Sequence, residues 1–220
     1  MTVTKLRWGH MWWAIAGLAI LGGALSGTIA SAVEQPKYRI VSAEKNIEIR
    51  DYAPMIVAEV DVTGERDVAI QKGFRLIADY IFGNNSAVDK VEMTSPVTQQ
   101  SNIKIAMTAP VTQKVDGGGW RVRFVMPASY TLETLPKPNN VAVALKQVPG
   151  GRYAVIRFSG LAGKESLARH TEELNQFITA KKLKSTSTPT YAFYNPPWSL
   201  PFLRRNEVMV DLTEPEIRNN

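Results

Sequence analysis

The chain is patterned as one unit written twice, and this limits its fold more than any single residue does. In the first half, Tyr38–Val41 and Asn46–Tyr52 are predicted to form a hairpin around Ala43-Glu44-Lys45, with Ile47, Ile49 and Tyr52 alternating roughly as strand residues do. Pro54 interrupts the run. Met55–Thr63 then places Ile56, Ala58, Val60 and Val62 on one face of a strand, and Gly64 ends it. The second half has Val141–Val148 and Tyr153–Phe158, predicted as a hairpin across Pro149-Gly150-Gly151 and closed by Ser159-Gly160. A helix follows each half, over Glu65–Phe82 and Lys164–Leu183, and further strands are expected at Trp120–Met126, Thr190–Tyr194 and Asn206–Leu212. Short strands and two helices at a period of about 100 residues fit an α+β fold: an antiparallel sheet curved into a barrel, two pseudo-repeats, helices outside.

The first helix carries more apolar surface than one buried face needs. On a helical wheel Ala69, Ile70, Gly73, Phe74, Ile77 and Ala78, with Leu76, Tyr80 and Ile81, cover an arc of about 200°, where a surface helix needs only somewhat more than about 100°. The excess lies on the Phe74/Ala78 flank, beside Gln71 and Arg75. Either a second protein layer or a ligand covers it.

Between the halves the pattern Met-Thr-x-Pro-Val-Thr-Gln occurs twice, at Met93–Gln99 and at Met107–Gln113. None of these side chains titrates near neutral pH, so the motif is a packing device and a family mark. Met107 is expected to be buried, alternating with Ile103 and Ile105 on a strand that ends at Pro110.

The N-terminal segment is of another kind. Lys5 and Arg7 precede a run, Met11–Ala30, without a charged residue, and Ala30-Ser31-Ala32 has the form of a signal-peptidase site. The run is also long enough to span a bilayer, which takes ~20 residues. A cleaved signal and an uncleaved membrane anchor both remain open. Either places the domain, residues 33–213, outside the cytoplasm, secreted or periplasmic in one case and held at the membrane in the other. Residues 214–220 are expected to be a disordered tail.

Chemistry-bearing residues are sparse. The chain has no cysteine, which excludes disulfides, thiol nucleophiles and cysteine-ligated metals. A net charge of +6, two units of it from Lys5 and Arg7, without basic patches interleaved with aromatics, argues against nucleic acid. His170 is the one histidine after the N-terminal segment. It falls near the buried face of the second helix, as an axial metal ligand or as a core histidine bonded to backbone. Glu133, Glu207 and Asp211 have no evident partner, and no catalytic constellation is legible. The segment Tyr191–Arg205 contains Tyr194, Pro197, Trp198, Leu200, Phe202 and Leu203. Its prolines forbid a helix, and its apolar residues suit a core cap, a ligand wall or a membrane-facing patch. Arg204 or Arg205 meets either a ligand carboxylate or Glu207.

Four stretches now combine: Ile47-Glu48-Ile49-Arg50-Asp51-Tyr52-Ala53-Pro54, Lys104-Ile105-Ala106-Met107-Thr108-Ala109-Pro110-Val111, Tyr194-Asn195-Pro196-Pro197 and Arg204-Arg205-Asn206-Glu207-Val208. In this order they resemble the SOUL/haem-binding protein family, and the doubled Met-Thr-x-Pro resembles its bacterial branch. The resemblance implies a distorted β-barrel of two pseudo-repeats with two flanking helices, similar to the effector-binding fold of drug-sensing regulators. It implies haem or another tetrapyrrole bound without catalysis in a shallow apolar cleft between the first helix and the loop joining the last strands. The residues expected there are Gln71, Phe74, Arg75, Ala78, Tyr194, Pro197, Trp198 and Leu200, with Arg75 facing a propionate. Some members carry a histidine where this chain has Asp51, and Gln71 and Asp79 stand where members place basic residues. A different flat apolar molecule, or an enzyme acting on one, are the alternatives.

Overall fold

The computed structural model describes residues 33–87, 103–185, 188–196 and 198–213. The N-terminal segment 1–32, the first Met-Thr-x-Pro copy, Pro197 and the tail 214–220 lie outside the described residues. No helix among the described residues is long and apolar enough to cross a membrane.

Among the described residues, eleven strands and two α-helices follow in order: β1 (Tyr38–Glu44), β2 (Ile47–Tyr52), β3 (Met55–Val62), α1 (Arg66–Ile81), β4 (Asn85–Ser86), β5 (Val111–Asp116), β6 (Gly119–Val125), β7 (Lys137–Pro138), β8 (Ala144–Val148), β9 (Gly151–Phe158), α2 (Lys164–Ala180), β10 (Thr190–Phe193) and β11 (Asn206–Leu212), with a 3-10 turn at Pro201–Leu203. β4 and β7 pair with each other, and the other nine form one antiparallel sheet in the order β1-β2-β9-β11-β10-β5-β6-β3-β8. β1 and β2 make the expected hairpin, with Lys45 at φ 56° in its turn.

The second expected hairpin does not form. β8 pairs with β3, and β9 pairs with β2 and β11. Pro149 and Gly150 mark a bend in a continuing strand, opposite the bend at Ala53-Pro54. Ile47 faces Ile156 and Tyr52 faces Gly151; beyond the bend, Met55 faces Val148 and Glu59 faces Ala144. One antiparallel register therefore runs through the whole ribbon. Proline and glycine punctuate a bend as readily as a reversal, which is why the sequence misleads here. The bend is tight: a Cβ on Gly150 would lie 2.5 Å from the Tyr52 carbonyl oxygen.

Because the ribbon ties β2–β9, next to one end of the strand order, to β3–β8 at the other end, the sheet must curl into a half-barrel. Its outer face carries the helices. Ala58, Val60, Val122 and Phe124 meet Ile77 and Ala69 of α1, and Ala154, Ile156 and Val208 meet Leu167, Leu174 and Ile178 of α2. Helix α1 approaches closely at Gly73, where an added Cβ would stand 2.7 Å from Val122 Cγ2. The inner face carries Tyr52, Val155, Ala192 and Met209. Tyr52 thus does not share a face with Ile47 and Ile49. It follows Arg50 by two residues and points with it to the inside.

Met107 is a further correction. Residues 103–107 form no strand, and Met107 is 43% exposed while Ile105 is buried. The segment is held by the end of α1 instead of by a ladder. The Asn85 amide donates to the carbonyls of Tyr80 and Ile103 and accepts from the Ile103 N–H, and the Ile105 N–H donates to the Ile81 carbonyl. Alternation therefore misassigns Met107. Ile105→Ala should cost about 2–5 kcal/mol of stability, as buried truncations do. Met107→Ala should stay within about 0.5 kcal/mol, as at exposed positions generally. Urea unfolding of both variants, with unchanged m-values, checks the contrast.

Candidate functional site

Two places concentrate side chains that can do chemistry or bind. The first is the inner face. Arg50 and Glu207, 1% and 0% exposed, form a two-pronged ion pair from β2 to β11, across β9. Arg50 Nη1 lies 2.9 Å from Glu207 Oε2 and Nη2 lies 3.1 Å from Oε1. Arg205 Nη2 also donates to Oε1 (2.8 Å), and the Tyr194 hydroxyl donates to Oε2 (2.8 Å). Arg50 Nη1 donates to the Tyr52 hydroxyl and Nε to Glu48. The guanidinium groups of Arg205 and Arg50 sit over the rings of Tyr194 and Tyr38, at 3.8 and 4.4 Å from the centroids. Glu207, read from sequence as unpartnered, is the most heavily partnered carboxylate described. The adjacency of Arg205 and Glu207 gave half of this arrangement. Arg50 could be found only from the alternation Glu48-Arg50-Tyr52 opposite Ile47-Ile49.

Burial alone would raise the Glu207 carboxyl, but the hydrogen bonds and charges of Arg50 and Arg205 hold it below its ordinary value. Burial pushes the Tyr52 hydroxyl up to about 12. A second inner cluster lies in the other half. Glu59, 2% exposed, is met by Arg123 (2.7 Å) and Lys146 (2.6 Å), which outweigh its burial and lower its pKa. These carboxylates are fixed as anions with their lone pairs engaged, which suits structure and not proton transfer.

The second place is a strip on the outer face. Helix α1 packs on β3 and β6, and α2 on β9 and β11; β5 and β10 lie between these halves. One cross-strand row reads Phe124, Val111, Phe193, Asn206, Phe158. Neighbouring strands are ~4.8 Å apart. Phe74 of α1 reaches this row, its ring 5.3 Å from that of Phe124, and stays 38% exposed. Val111, Phe193 and Tyr191 are half-buried. Arg66, at the start of α1, donates from Nη2 to Gln113 (2.8 Å) and lies 5.9 Å from the Tyr191 ring centroid. Its buried Nε has no hydrogen-bond partner among the described residues. Sequence reasoning missed Arg66, because an arginine in a first helical turn reads as solvated.

The structure brings together some of the expected site residues only. Phe74 is on the strip's edge, with half-buried Ala78 and exposed Gln71 and Arg75 along the same flank. Arg75 Nε donates to the Gln71 carbonyl at 3.3 Å. Tyr194 points inward to Glu207, away from that flank. Trp198 and Leu200 are 83% and 56% exposed. Asp51 binds Arg39 and Arg152. His170 is half-buried and stacked on Phe158 at 3.9 Å; a carbonyl can only accept, so Nδ1 carries the proton donated to Ser166 O (2.7 Å). No group of three His, Cys, Asp or Glu side chains among the described residues is placed to hold a metal ion.

Two cavities lie off the outer strip. One of about 490 Å³ opens beside Pro54, with Met55, Ile56, Tyr130, Leu132 and Glu133 in its wall. One of about 90 Å³ lies on the inner face, walled by Tyr52, Tyr153, Tyr194 and Met209. Of the residues expected in the site, Tyr194 alone lines either.

The family model described as SOUL heme-binding protein matches residues 33–211. The chain belongs to the SOUL haem-binding family. No curated protein matches the sequence. Among solved structures, a hydrolase from Listeria innocua is similar at 13% identity and TM-score 0.52, covering 79% of this chain and 94% of that one. The EcmrR C-terminal domain is similar at 11% identity and TM-score 0.54, covering 80% and 98%. EcmrR in a complex with DNA is similar at 11% identity and TM-score 0.55, covering 76% and 57%. At these identities the likeness is one of fold. The SOUL family supports a haem-binding role, and the curled sheet with two helices is the fold these neighbours share.

The inner network makes a prediction. Glu207→Gln leaves buried Arg50 with Glu48 as its one remaining counter-charge among the described residues and should cost up to about 3–5 kcal/mol, the usual penalty for breaking a buried pair. The sign with pH follows from the lowered carboxyls. Glu207 and Glu59 contribute fully above their unfolded pKa, near 4.3, and lose that contribution as pH falls through their depressed folded values. Urea midpoints between pH 7 and pH 3 should fall in wild type, and fall less in Glu207→Gln.

Proposed function

We propose that this SOUL protein is an extracytoplasmic, non-catalytic carrier of haem or a similar tetrapyrrole, which it holds on the outer strip between α1 and α2. The observation that carries this reading is the juxtaposition of half-covered apolar side chains with Arg66, whose Nη1 and Nη2 go to Asp67 and Gln113 and whose Nε is left over. Phe74, Val111, Tyr191 and Phe193 offer a surface for a flat ring, and Arg66 has a buried Nε without a partner. Arg75, on the exposed flank, is the partner for a second propionate. The residues fit a planar apolar group bearing carboxylates.

They fit coordination less well. Asp51 is held by two arginines, and His170, whose Nδ1–H goes to Ser166 O and which leaves Nε2 as its ligating atom, has one ring face covered by Phe158. The chain's contribution is therefore apolar contact, exclusion of water from one ring face, and neutralisation of carboxylates. Bound haem would supply the iron chemistry, and this chain's own residues would hold the ring.

A second reading is favoured by one observation. The cavity beside Pro54, about 490 Å³, lies within the ordinary range for small-molecule sites, about 300–1,000 Å³. A different flat apolar molecule would suit its wall of Met55, Ile56, Tyr130 and Leu132.

Haem titration of the full chain, followed by the Soret band, tests both. Phe74→Ala removes a stacking ring that contributes about 0.5–1.5 kcal/mol beyond area burial, so affinity should fall several-fold or more. Arg66→Gln should also weaken binding, His170→Ala should not, and Leu132→Ala should have no effect. Each variant is first checked for folding by circular dichroism. Loss of the Soret shift in folded His170→Ala alone would overturn the outer-strip reading in favour of axial ligation. Loss in Leu132→Ala with Phe74→Ala unaffected would move the site to the cavity.

A further inference from the structure

We propose that the loop between β10 and β11 is a bilayer-docking element, whose apolar tip inserts into the headgroup region of the membrane that holds the chain through residues 11–30. Three observations carry this. The first is exposure. Trp198, Leu200, Phe202 and Leu203 are 83, 56, 70 and 64% exposed. The Gly160 N–H donates to the Pro201 carbonyl, so Leu161, next in the chain and 64% exposed, stands beside them. Contiguous apolar surface of this kind marks a protein or membrane contact and not ordinary solvated surface.

The second observation is the loop's backbone. Lipid does not hydrogen-bond peptide groups, so an inserted loop must satisfy its own. Here the Ser199 N–H donates to the Pro196 carbonyl, Leu203 to Leu200, and Arg204 to Pro201. The Arg204 guanidinium takes the Ser199 carbonyl at 2.8 Å, and Asn195 Oδ1 takes the Arg205 N–H. These bonds satisfy part of the loop's backbone from within, while its apolar side chains are exposed. Tryptophan and arginine at its edges suit the interface between headgroups and water.

The third observation is where the chain enters the domain. Arg205, at the base of the loop, donates from Nη1 to Gln35 Oε1 at 3.0 Å. Gln35 lies five residues along the chain from Ala30, the end of the uncharged run. The entry point and the loop thus share one edge of the domain. A tether arriving there gives the loop a high effective concentration at the same leaflet, so weak insertion suffices. This inference rests on the anchor alternative for residues 11–30.

The chain has no cysteine, so single-cysteine variants can be labelled uniquely. Full-length Phe202→Cys, Leu200→Cys and Val141→Cys are each spin-labelled and reconstituted into phosphatidylcholine–phosphatidylglycerol vesicles below one chain per vesicle. Val141 is fully exposed and serves as the aqueous reference. Vesicle flotation reports anchoring. Collision rates with oxygen, which partitions into lipid, and with a water-soluble nickel chelate report depth. The labels at 200 and 202 should be protected from the chelate several-fold relative to 141 and be more accessible to oxygen. A chain that floats while these labels remain as chelate-accessible as 141 overturns the docking loop alone. A chain that does not float overturns the anchor and the docking loop together, while leaving the haem titration of the outer strip untouched.

Discussion

The bent ribbon of β2–β3 against β8–β9 is the constraint from which the remaining structure follows. A single register through both bends fixes which residues face in and which face out over 13 positions, from Ile47 to Glu59 on one strand. A slip of one residue would invert every one of them. The ribbon also ties β2–β9, next to one end of the strand order, to β3–β8 at the other end, so the sheet cannot lie flat. Each helix leaves from it, α1 after β3 and α2 after β9, and each folds back over its own half. What stays without a helix is the pair β5 and β10 in the middle. The uncovered strip is in this sense a consequence of the pseudo-symmetry and not a separate invention.

The inner face shows how that register is protected. Buried ion pairs are a weak source of net stability, because desolvation offsets most of their attraction. They discriminate strongly between alternatives. With β2 shifted by one residue, Arg50 would turn to the outer face among Leu174 and Ile178, and Glu207 would be left charged and buried. The aromatic hydroxyls of Tyr52 and Tyr194 complete the arrangement and leave few lone pairs open. The same saturation explains why a lumen rich in carboxylates lacks the look of an active site.

Much of this was legible in the sequence, for reasons that can be named. The two-residue period of β3 and β6 and the helical period of α1 placed the outer core correctly, since apolar periodicity reports burial directly. The apolar excess at Phe74 was legible because it exceeded what one packed face requires. The failures share a cause: local patterns do not encode partners distant in sequence. Pro149-Gly150 reads as a hairpin turn until Tyr52 is known to lie against it. Met107 reads as a strand residue until Asn85 is known to hold the segment. Arg50 and Glu207, 157 positions apart, read as ordinary surface charges. The Trp198–Leu203 loop reads in sequence as too apolar for solvent, but its exposure, which speaks against a core cap, appears only in three dimensions.

The strip and the loop meet at Phe193, the last residue of β10. Its side chain is on the row that Phe74 reaches, and the chain passes from it directly into Tyr194 and the loop. A flat ligand on an open strip keeps one face in water, which limits what apolar contact alone can contribute. Placing the strip next to a docked loop changes that balance. On the proposed reading, an apolar ring moving from lipid onto Phe193 and Phe74 would cross little water, and its carboxylates would meet Arg66 and Arg75 on the domain side. A tetrapyrrole held without a strong axial ligand would exchange readily with a bilayer, which suits transfer better than storage.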